Sequence, residues 1–489
     1  MITFLICLTA LVAAYFTYGR RLERLAGIDP AAETPCSKLY DGVDYVPLSR
    51  GRILMIQLLN IAGLGPIFGA VLGAAYGPVA FLWITLGGIF MGAMHDFLSG
   101  VISLRHDGAS LPEITGIYLG GGVKNVMRIF SAGLMILVGA VFLSQPAELI
   151  AGRLDIEALS GEAFGGFSWC HVAVIAAILA YYITATLLPV DKIIGRIYPI
   201  FGFALIFMAA AILVVLLFSG RYSIPELTSL RNCMADARAF PIVPTLFTTI
   251  ACGAISGFHA TQSPIMARCI RSESDSRTVF YGGMIAESII ALIWAAIAMA
   301  FRGGVEGLNQ AIAQYNGSAA VIIDIISQQA LGRWLAGFVL FGVIACAITS
   351  GDTAFRSARL IVADFTGLEQ RSLRKRIYIC LPLFAAGLMI IFCLPFRTMW
   401  SYFAWMNQTL AVVTLWMITD YLARRGRGMM AAAVPAVIMT YVCASYIFVS
   451  PLMFGMENRT AAYLLGAAVT AAVAAAATVK IRRDVSNRS

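Results

Sequence analysis

Residues 60–69 read Asn60-Ile-Ala-Gly63-Leu-Gly65-Pro66-Ile-Phe-Gly69, and they interrupt an apolar run that extends from about residue 53 to residue 76. Lipid offers no hydrogen bonds to backbone groups that leave a helix, so a break at membrane depth must face protein or a water-filled cavity. Glycine permits unwound backbone, and proline removes an amide donor and stops a half-helix. This stretch therefore predicts a membrane helix that is broken in its middle.

A second break lies five hydrophobic segments later, where residues 252–264 read Cys252-Gly253-Ala-Ile-Ser256-Gly257-Phe-His259-Ala-Thr261-Gln262-Ser263-Pro264. We expect Pro264 to stop a half-helix in the same way as Pro66. A pair of helices interrupted by Gly and Pro, in corresponding positions of two halves, is typical of the binding site of a secondary transporter. The two breaks together favour a carrier, although a packing kink that binds nothing is the simpler alternative.

The composition indicates a membrane protein. Hydrophobic residues make up 60% of the chain and charged residues 12%, against roughly 25% charged residues in soluble domains. The net charge is +9, but the basic residues separate apolar spans and form no patch with interleaved aromatics, which argues against a nucleic-acid partner. The ten cysteines show neither a C-x-x-C pair nor zinc-site spacing, so we expect no metal and no cofactor. No phosphate-binding loop of the Walker type is present, which argues against direct ATP drive.

A crossing needs about 20 apolar residues, and on that basis we predict thirteen transmembrane helices, the first of them a retained helix rather than a signal peptide. They cover residues 2–18, 53–76, 79–104, 126–150, 168–188, 193–218, 241–265, 278–300, 334–355, 376–395, 399–422, 430–452 and 461–479. With the N-terminus outside, 27 of the 35 Lys and Arg residues fall in inner loops. The positive-inside rule therefore predicts an outer N-terminus and a cytoplasmic C-terminus. We expect the membrane to be a bacterial inner membrane.

The broken spans are the second and the seventh, and they cross the membrane in opposite directions. We therefore predict an all-α, leucine-transporter-like fold of two inverted five-helix repeats, residues 53–220 and 241–423. Residues 1–52 would form an accessory first helix and a cytoplasmic loop. Residues 430–489 would form two accessory helices and a cytoplasmic tail.

Several long motifs in order resemble the carbon starvation protein A family over roughly residues 40–420. They are Asn60–Ala70, Tyr76-Gly-Pro, Gly92-Ala-Met-His95-Asp96-Phe-Leu-Ser99-Gly, Gly108-Ala-Ser-Leu-Pro-Glu113, Cys252–Arg268 and Ser350-Gly-Asp352-Thr-Ala-Phe-Arg356-Ser. The resemblance implies a membrane transporter of the amino acid–polyamine–organocation superfamily, linked to carbon starvation. It also implies proton-linked uptake of a small nutrient, with peptides and pyruvate both assigned to members.

The candidate substrate-binding residues lie in the two breaks, where a freed half-helix N-terminus suits an anionic carboxylate. They are Asn60, Gly63, Gly65, Pro66, Ser256, Gly257, His259, Gln262 and Ser263. His259 is also a candidate proton sensor because imidazole titrates near neutral pH, although a satisfied core histidine is the plain alternative.

Ionisable residues inside apolar spans are functional candidates by default. We assign Glu287 as the proton-coupling carboxylate, with a structural hydrogen-bonded glutamate as the alternative. His95 and Asp96 are candidates for an inner gate or proton exit. Asp352 and Arg356 are spaced to pair across one helical turn as a gate, and the hydroxyls that precede them keep sodium coupling open as a rival.

These observations favour a proton symporter, not an enzyme, that imports a small carboxylate-bearing nutrient across the lipid bilayer. A channel gives no reason for two opposed broken helices. An intramembrane hydrolase would need a G-x-S-x-G nucleophile pattern, which residues 253–257 do not form. Peptide or pyruvate, proton or sodium, and the oligomeric state stay open at this point.

Overall fold

The computed structural model describes residues 1–154, 156–164, 166–187, 194–368, 370 and 372–486. Its first α-helices are α1 (Ile2–Phe16), α2 (Tyr18–Ala26), α3 (Pro35–Lys38), α4 (Arg50–Ile61), α5 (Ala70–Gly73), α6 (Val79–Leu82), α7 (Ala93–Arg105), α8 (Leu111–Leu119), α9 (Gly121–Leu154), α10 (Trp169–Leu187) and α11 (Ile194–Phe218). The others are α12 (Phe247–Thr249), α13 (Gly257–Ala267), α14 (Gly282–Ala300), α15 (Val305–Gln314), α16 (Ala319–Thr366), α17 (Leu373–Cys393), α18 (Phe396–Arg424), α19 (Met430–Val449) and α20 (Arg459–Ser486).

Shorter elements connect or extend these helices. π-Helical turns cover Gly65–Gly69, Trp83–Gly92, Ile242–Leu246 and Arg277–Tyr281, and 3₁₀ turns cover Ala74–Tyr76, Glu157–Leu159, Glu273–Asp275 and Phe301–Gly303. Strands β1 (Glu162–Phe164) and β2 (Phe167–Ser168) pair antiparallel in a small hairpin. The predicted all-α membrane architecture is therefore confirmed, with this hairpin as a minor addition.

Nine helices within the described ranges are long and apolar enough to cross a membrane. A bent pair, Arg50–Ile61 with Gly65–Tyr76, makes a tenth. The count of thirteen spans stays a prediction, and parts of the predicted spans 168–188 and 193–218 lie outside the described residues.

The first predicted break is present. Helix α4 ends at Ile61, helical backbone resumes at Gly65, and the two parts meet at an angle of 55°. Pro66 lies in the first turn of the second part, so it begins this half-helix rather than stopping one, as expected for a proline whose missing amide is not needed there. A Cβ atom on Gly65 would lie 2.3 Å from Cys252 Sγ, so a glycine is needed where the two breaks touch.

The second break is shorter than predicted. It covers residues 250–256, between α12 and α13, and residues 257–264 are helical. The expectation that Pro264 stops a half-helix is wrong, because Pro264 lies inside α13. A proline removes one backbone hydrogen bond from a helix, and the packed surroundings of a bundle core tolerate that loss. Helix α13 is buried along its whole length, against α7, α18 and α4.

The longest helix, α16, supports both breaks. It runs along α9 and also contacts α4 and α13. Gly332 interrupts its helical geometry with a φ of 74°, so the segment before it is a separate short helix that follows α15. The remainder of α16 brings hydroxyl and guanidinium groups to the centre and to one end of the bundle.

Candidate functional site

Asp96 of α7 lies between two histidines at the centre of the bundle. Its Oδ1 atom is 2.8 Å from Nδ1 of His95, and its Oδ2 atom is 2.8 Å from Nδ1 of His259. All three side chains have no exposed surface. The second contact joins α7 to α13, so it connects an unbroken span of the first half to the second broken helix. A carboxylate that contacts two imidazoles can exchange protons with either of them.

Glu287 of α14 continues this chain on the other side of the imidazole. Its Oε2 atom is 3.3 Å from Nε2 of His259, and Glu287 is fully buried. Neither carboxyl oxygen of Glu287 has a side-chain hydrogen-bond donor of good geometry in the part of the chain that is described. His259 therefore lies between two buried carboxyl groups, Asp96 on Nδ1 and Glu287 on Nε2. We call His95, Asp96, His259 and Glu287 the central cluster.

The same place contains one group that could hold a metal ion. A donor atom from each of Cys252, His259 and Glu287 lies within 4.8 Å of the other two. Thiolate, imidazole and carboxylate ligands suit a transition metal, and three protein donors plus a water are enough for a zinc site. Cysteine spacing could not reveal this group because its members come from three separate elements. The absence of a metal stays a prediction.

Hydroxyl groups of α16 hold the end of α4 at the first break. Ser350 Oγ donates to the carbonyl oxygens of Leu59 and Asn60, at 2.9 and 3.1 Å, and Thr349 Oγ1 is 3.3 Å from the carbonyl of Leu59. The last carbonyls of a helix have no partner within it, and these hydroxyls supply one. The side-chain amide of Asn60 is buried, and among the described residues it has no hydrogen-bond partner. Its hydrogen-bonding groups are therefore unused within this part of the chain.

Two amides of α18 hold the second break. Asn407 Oδ1 accepts hydrogen bonds from Ser256 Oγ at 3.1 Å and from the backbone N–H of Phe258 at 2.6 Å. Gln408 Nε2 donates to the carbonyl oxygen of Ile255 at 3.0 Å. Asn407 thus caps the start of α13 in the way that an N-cap residue does, but from another helix. We call Asn407 and Gln408 the α18 clamp.

Sequence reasoning did not assign the α18 clamp to the site. The signal was two adjacent amides inside an apolar span, which alone does not distinguish structural bonding from function. Gly257 explains how α18 comes so close, because a Cβ atom on Gly257 would lie 2.4 Å from the carbonyl oxygen of Asn407. Gly63 serves the same purpose at the first break, where a Cβ would lie 2.5 Å from the ring of Phe142.

The other predicted binding residues in α13 are engaged within the protein. Gln262 Nε2 donates to Ser357 Oγ at 3.1 Å, and Ser263 Oγ donates to the backbone carbonyl of His259 at 3.0 Å. Ser256 donates to the α18 clamp. Among the described residues, both side-chain polar atoms of Asn60 lack a hydrogen-bond partner, and so does Oε1 of Gln262.

The predicted gate residues contact different groups. Tyr198 OH is 3.2 Å from Oδ2 of Asp352. Arg356 Nη1 and Arg359 Nη2 are 3.6 and 3.4 Å from Oδ1 of Asp44, in the loop before α4. The pairing of Asp352 with Arg356 stays a prediction, and the structure shows an ion pair of Arg356 with Asp44. A polar loop residue gives no sequence signal for such a contact.

Asp44 is nearly buried, and burial raises the pKa of its carboxyl group. The charges of Arg359, Arg356 and further arginines act more strongly, so the pKa of Asp44 lies below its ordinary value. Asp44 is therefore a buried anion held by cations, and its loop is fastened to α16.

A cavity of about 800 Å³ lies at the end of the bundle away from Asp44, against the second half of the first broken helix and the first half of the second. Tyr76 and Thr248 line it from these halves, and Trp400 lines it from α18. Rings form a layer beyond Trp400, with centroid distances of 6.0 Å from Phe68 to Trp400, 5.4 Å from Trp400 to Phe403, 5.9 Å from Phe403 to Phe142 and 6.2 Å from Phe142 to Phe258. Because Phe258 precedes His259, this aromatic layer reaches from the cavity to the central cluster.

The arrangement defines a polytopic membrane protein of the leucine-transporter fold, in which two broken helices meet beside a buried cluster of ionisable groups. The crystal structure of MhsT in complex with L-phenylalanine is similar to this chain, with a TM-score of 0.56 at 13% identity, over 90% of this chain and 99% of MhsT.

The chain belongs to the carbon starvation protein CstA family, whose model matches residues 1–153 and 147–329. It is 45% identical over 349 residues to a membrane protein of Haemophilus influenzae, covering 64% of this chain and 94% of that protein. The peptide transporter CstA of Helicobacter pylori is 24% identical over 527 residues, 84% of this chain and 76% of the relative. The pyruvate/proton symporter BtsT of Escherichia coli is 26% identical over 341 residues, 58% of this chain and 46% of the relative.

Proposed function

We propose that this chain is a secondary active transporter of the bacterial inner membrane that imports a small carboxylate-bearing nutrient together with a proton. Transport takes place without chemical conversion of the substrate, so the protein is not an enzyme. The observation that carries the proposal is the central cluster, in which His259 contacts Asp96 on one side and Glu287 on the other. It lies beside both breaks, where the N-terminal ends of two half-helices carry the positive end of the helix dipole, which suits a substrate carboxylate.

The central cluster offers a simple way to couple proton and substrate. Its groups come from α7, α13 and α14, and α13 begins directly after the second break. A proton on the imidazole can be shared with Asp96 or with Glu287, and the shorter contact is the one with Asp96. In this proposal Glu287 receives the coupling proton, and His95 and Asp96 pass it to the inner side.

We also propose the orientation and the repeat organisation that the sequence predicts. Residues 53–220 and 241–423 would be the inverted repeats, with the N-terminus outside and the C-terminus in the cytoplasm. The cavity then faces outwards, and the arginine contacts of Asp44 close the inner side. In the carrier cycle this arrangement corresponds to a state that is accessible from outside.

The relatives' names support two substrates, since one is a peptide transporter and another a pyruvate/proton symporter. The freed half-helix ends suit the carboxylate that both substrates carry. We therefore propose a small carboxylate as the common feature, and link uptake to carbon starvation through the family.

Sodium coupling is the second candidate, and one observation favours it. The hydroxyls of Thr349 and Ser350 and the carbonyl oxygens of Leu59 and Asn60 gather four oxygen atoms at the end of α4. Oxygen ligands of this kind suit a hard cation. However, Ser350 Oγ already donates to both α4 carbonyls, and Thr349 Oγ1 is closer to two carbonyls of its own helix. Sodium coupling is therefore placed second to proton coupling.

Uptake into proteoliposomes of the purified protein tests the proposal. Labelled pyruvate and labelled dialanine are supplied separately, with an inward proton gradient, an inward sodium gradient or neither. Accumulation that follows the proton gradient and collapses with a protonophore supports proton symport. Accumulation that follows sodium alone shifts the assignment to the oxygen cluster of α4 and α16. Accumulation of neither substrate under any gradient would falsify this assignment of function.

A further inference from the structure

The outer cavity is acidic, and its carboxyl groups do not belong to the central cluster. Two carboxyl groups, those of Glu148 and Asp236, line it, and no Lys, Arg or His does so among the described residues. The chain as a whole carries a net charge of +9, so an acidic cavity contrasts with the composition around it. Tyr76, Trp400 and Tyr446 add aromatic surface to its walls.

Glu148 is held in position by neutral groups. Its Oε1 atom accepts a hydrogen bond from Ser318 Oγ at 3.2 Å, and its Oε2 atom accepts one from Gln145 Nε2 at 3.1 Å. Both of these partners are uncharged, and the structure shows no salt bridge of Glu148 within the described ranges. A carboxylate has more acceptor positions than these two bonds use. Its negative charge is therefore available to a cation that enters the cavity.

Asp236 differs from Glu148 in its surroundings. It is exposed, and its Oδ1 atom accepts the backbone N–H of Ala239 at 2.8 Å within its own loop. Glu148 is half-buried, and it reaches the cavity from α9, which runs along α16. A partly buried charge interacts more strongly with a bound cation than an exposed one does. Glu148 is therefore the stronger anchor of the two.

A second observation points to a ligand at the same cavity. Trp400 lines it, and its indole Nε1–H is buried without an acceptor among the described residues. Buried indole N–H groups usually have a partner, so this donor is available to an acceptor group that arrives with a ligand. The cavity volume of about 800 Å³ falls in the range of about 300–1,000 Å³ for sites that enclose drug-sized ligands, more than a three-carbon acid needs.

We propose that the outer cavity is a recognition site for a substrate that carries a primary ammonium group, with Glu148 binding that group. This inference rests on the proposed transport function and selects, from the carboxylate-bearing substrates, those that also have a free amine, such as a short peptide. Glu148 binds the ammonium group at the cavity, and the carboxylate end is directed towards the two breaks. The aromatic walls of the cavity contact the apolar part of the substrate, between its ammonium and carboxylate groups.

Binding of dialanine and of N-acetyl-dialanine to the purified protein tests this inference, because acetylation removes the ammonium charge and keeps the carboxylate. We expect the wild type to bind dialanine roughly tenfold more tightly, as expected for a charge-assisted hydrogen bond. Glu148→Gln removes the charge but keeps the shape, and we expect it to abolish this preference. Glu148→Asp should restore part of it.

A matched variant separates recognition from a structural role of Glu148. Ser318→Ala removes the hydroxyl that contacts Glu148 and leaves the carboxylate charge in place. If Glu148 only fastens α9 to the start of α16, Ser318→Ala and Glu148→Gln lower binding of both ligands equally. If Glu148 binds the amine, only Glu148→Gln changes the ratio of the two affinities.

Three results overturn the inference: equal binding of the two ligands by the wild type, an unchanged preference in Glu148→Gln, or binding of pyruvate without dialanine. The last result combined with proton-driven pyruvate uptake leaves the proposed function intact. Failure of every substrate to accumulate counts against the proposed function. In that case the ratio of the two affinities, measured on the purified protein, still decides the role of Glu148.

Discussion

Oδ2 of Asp96 lies 2.8 Å from Nδ1 of His259, although 163 positions separate the two residues in the chain. This contact fixes which nitrogen of His259 faces α7, and it directs Nε2 towards Glu287, 3.3 Å away. Because all these groups are fully buried, a change in the proton on one of them alters the charge balance of the others. The contact therefore links α7, α13 and α14 electrostatically.

Glu287→Gln should uncouple transport from the proton gradient. Glutamine keeps the size of the side chain but cannot carry the coupling proton. With a gradient of about one pH unit, symport of one proton without net charge concentrates substrate about tenfold, and loss of coupling reduces the ratio to about one. Accumulation and substrate exchange are measured in proteoliposomes, and exchange should persist in the variant.

Glu457→Gln is the control for this prediction, because Glu457 is an exposed glutamate in the loop after α19. It should accumulate substrate like the wild type. Full gradient-driven accumulation by Glu287→Gln would show that the buried carboxyl is structural and not coupling.

The two broken helices could be predicted from the sequence, and each member of the central cluster could be named from it as a candidate. Gly and Pro at membrane depth are visible in a sequence, and so are Glu287 and His259 inside apolar spans. Their mutual contacts were not predictable, since Asp96 and His259 meet only through the packing of α7 against α13. The extent of the second break was overestimated because glycine and proline permit a break without requiring one. Residues 257–264 are helical because they pack inside the bundle.

Asn407→Ala should destabilise the second break. The substitution leaves the Phe258 N–H and the Ser256 hydroxyl without their acceptor in a buried place, at a cost of about 1–3 kcal/mol for each unsatisfied group. The free energy of unfolding falls by that order, and uptake falls with it. Thermal unfolding in detergent and proteoliposome uptake measure both effects.

Thr409→Ala provides the matched control on the same helix. The Thr409 hydroxyl donates to the carbonyl of Trp405 at 2.9 Å, within α18 itself. Its loss should change the free energy of unfolding by less than about 0.5–1 kcal/mol. An Asn407→Ala variant as stable as Thr409→Ala would contradict the capping role.

Asp44→Asn should weaken the attachment of the loop before α4 to α16 and change the acid stability of the protein. Asp44 has a pKa below the ordinary value because the nearby arginines outweigh burial. The folded form therefore binds its proton less readily than the unfolded form, so the ion pairs stabilise the protein above pH about 4 and lose this effect as pH falls through the folded pKa.

Removing one partner of a buried ion pair costs about 3–5 kcal/mol, because the remaining guanidinium groups lose their counter-charge. We expect Asp44→Asn to be less stable at neutral pH, and the difference from the wild type to shrink in acid. Thermal unfolding of both proteins between pH 3 and 7 measures this. Parallel curves with a constant difference would exclude the assigned charge effect.

Gly65→Ala should prevent the two breaks from meeting, and Gly133→Ala tests that the effect belongs to this position. A Cβ atom at Gly65 would lie 2.3 Å from Cys252 Sγ, whereas a Cβ at Gly133, in the middle of α9, meets no atom within 4 Å. In Gly65→Ala the second broken helix must move, and with it the elements that position His259. In Gly133→Ala the lower backbone entropy of alanine in the unfolded chain stabilises the protein by about 0.5–1 kcal/mol. Gly65→Ala should therefore lower both the uptake rate and the unfolding temperature. Gly133→Ala should raise the unfolding temperature without loss of uptake. If Gly65→Ala transports normally, the approach of the two breaks is dispensable and the binding site lies elsewhere in the bundle.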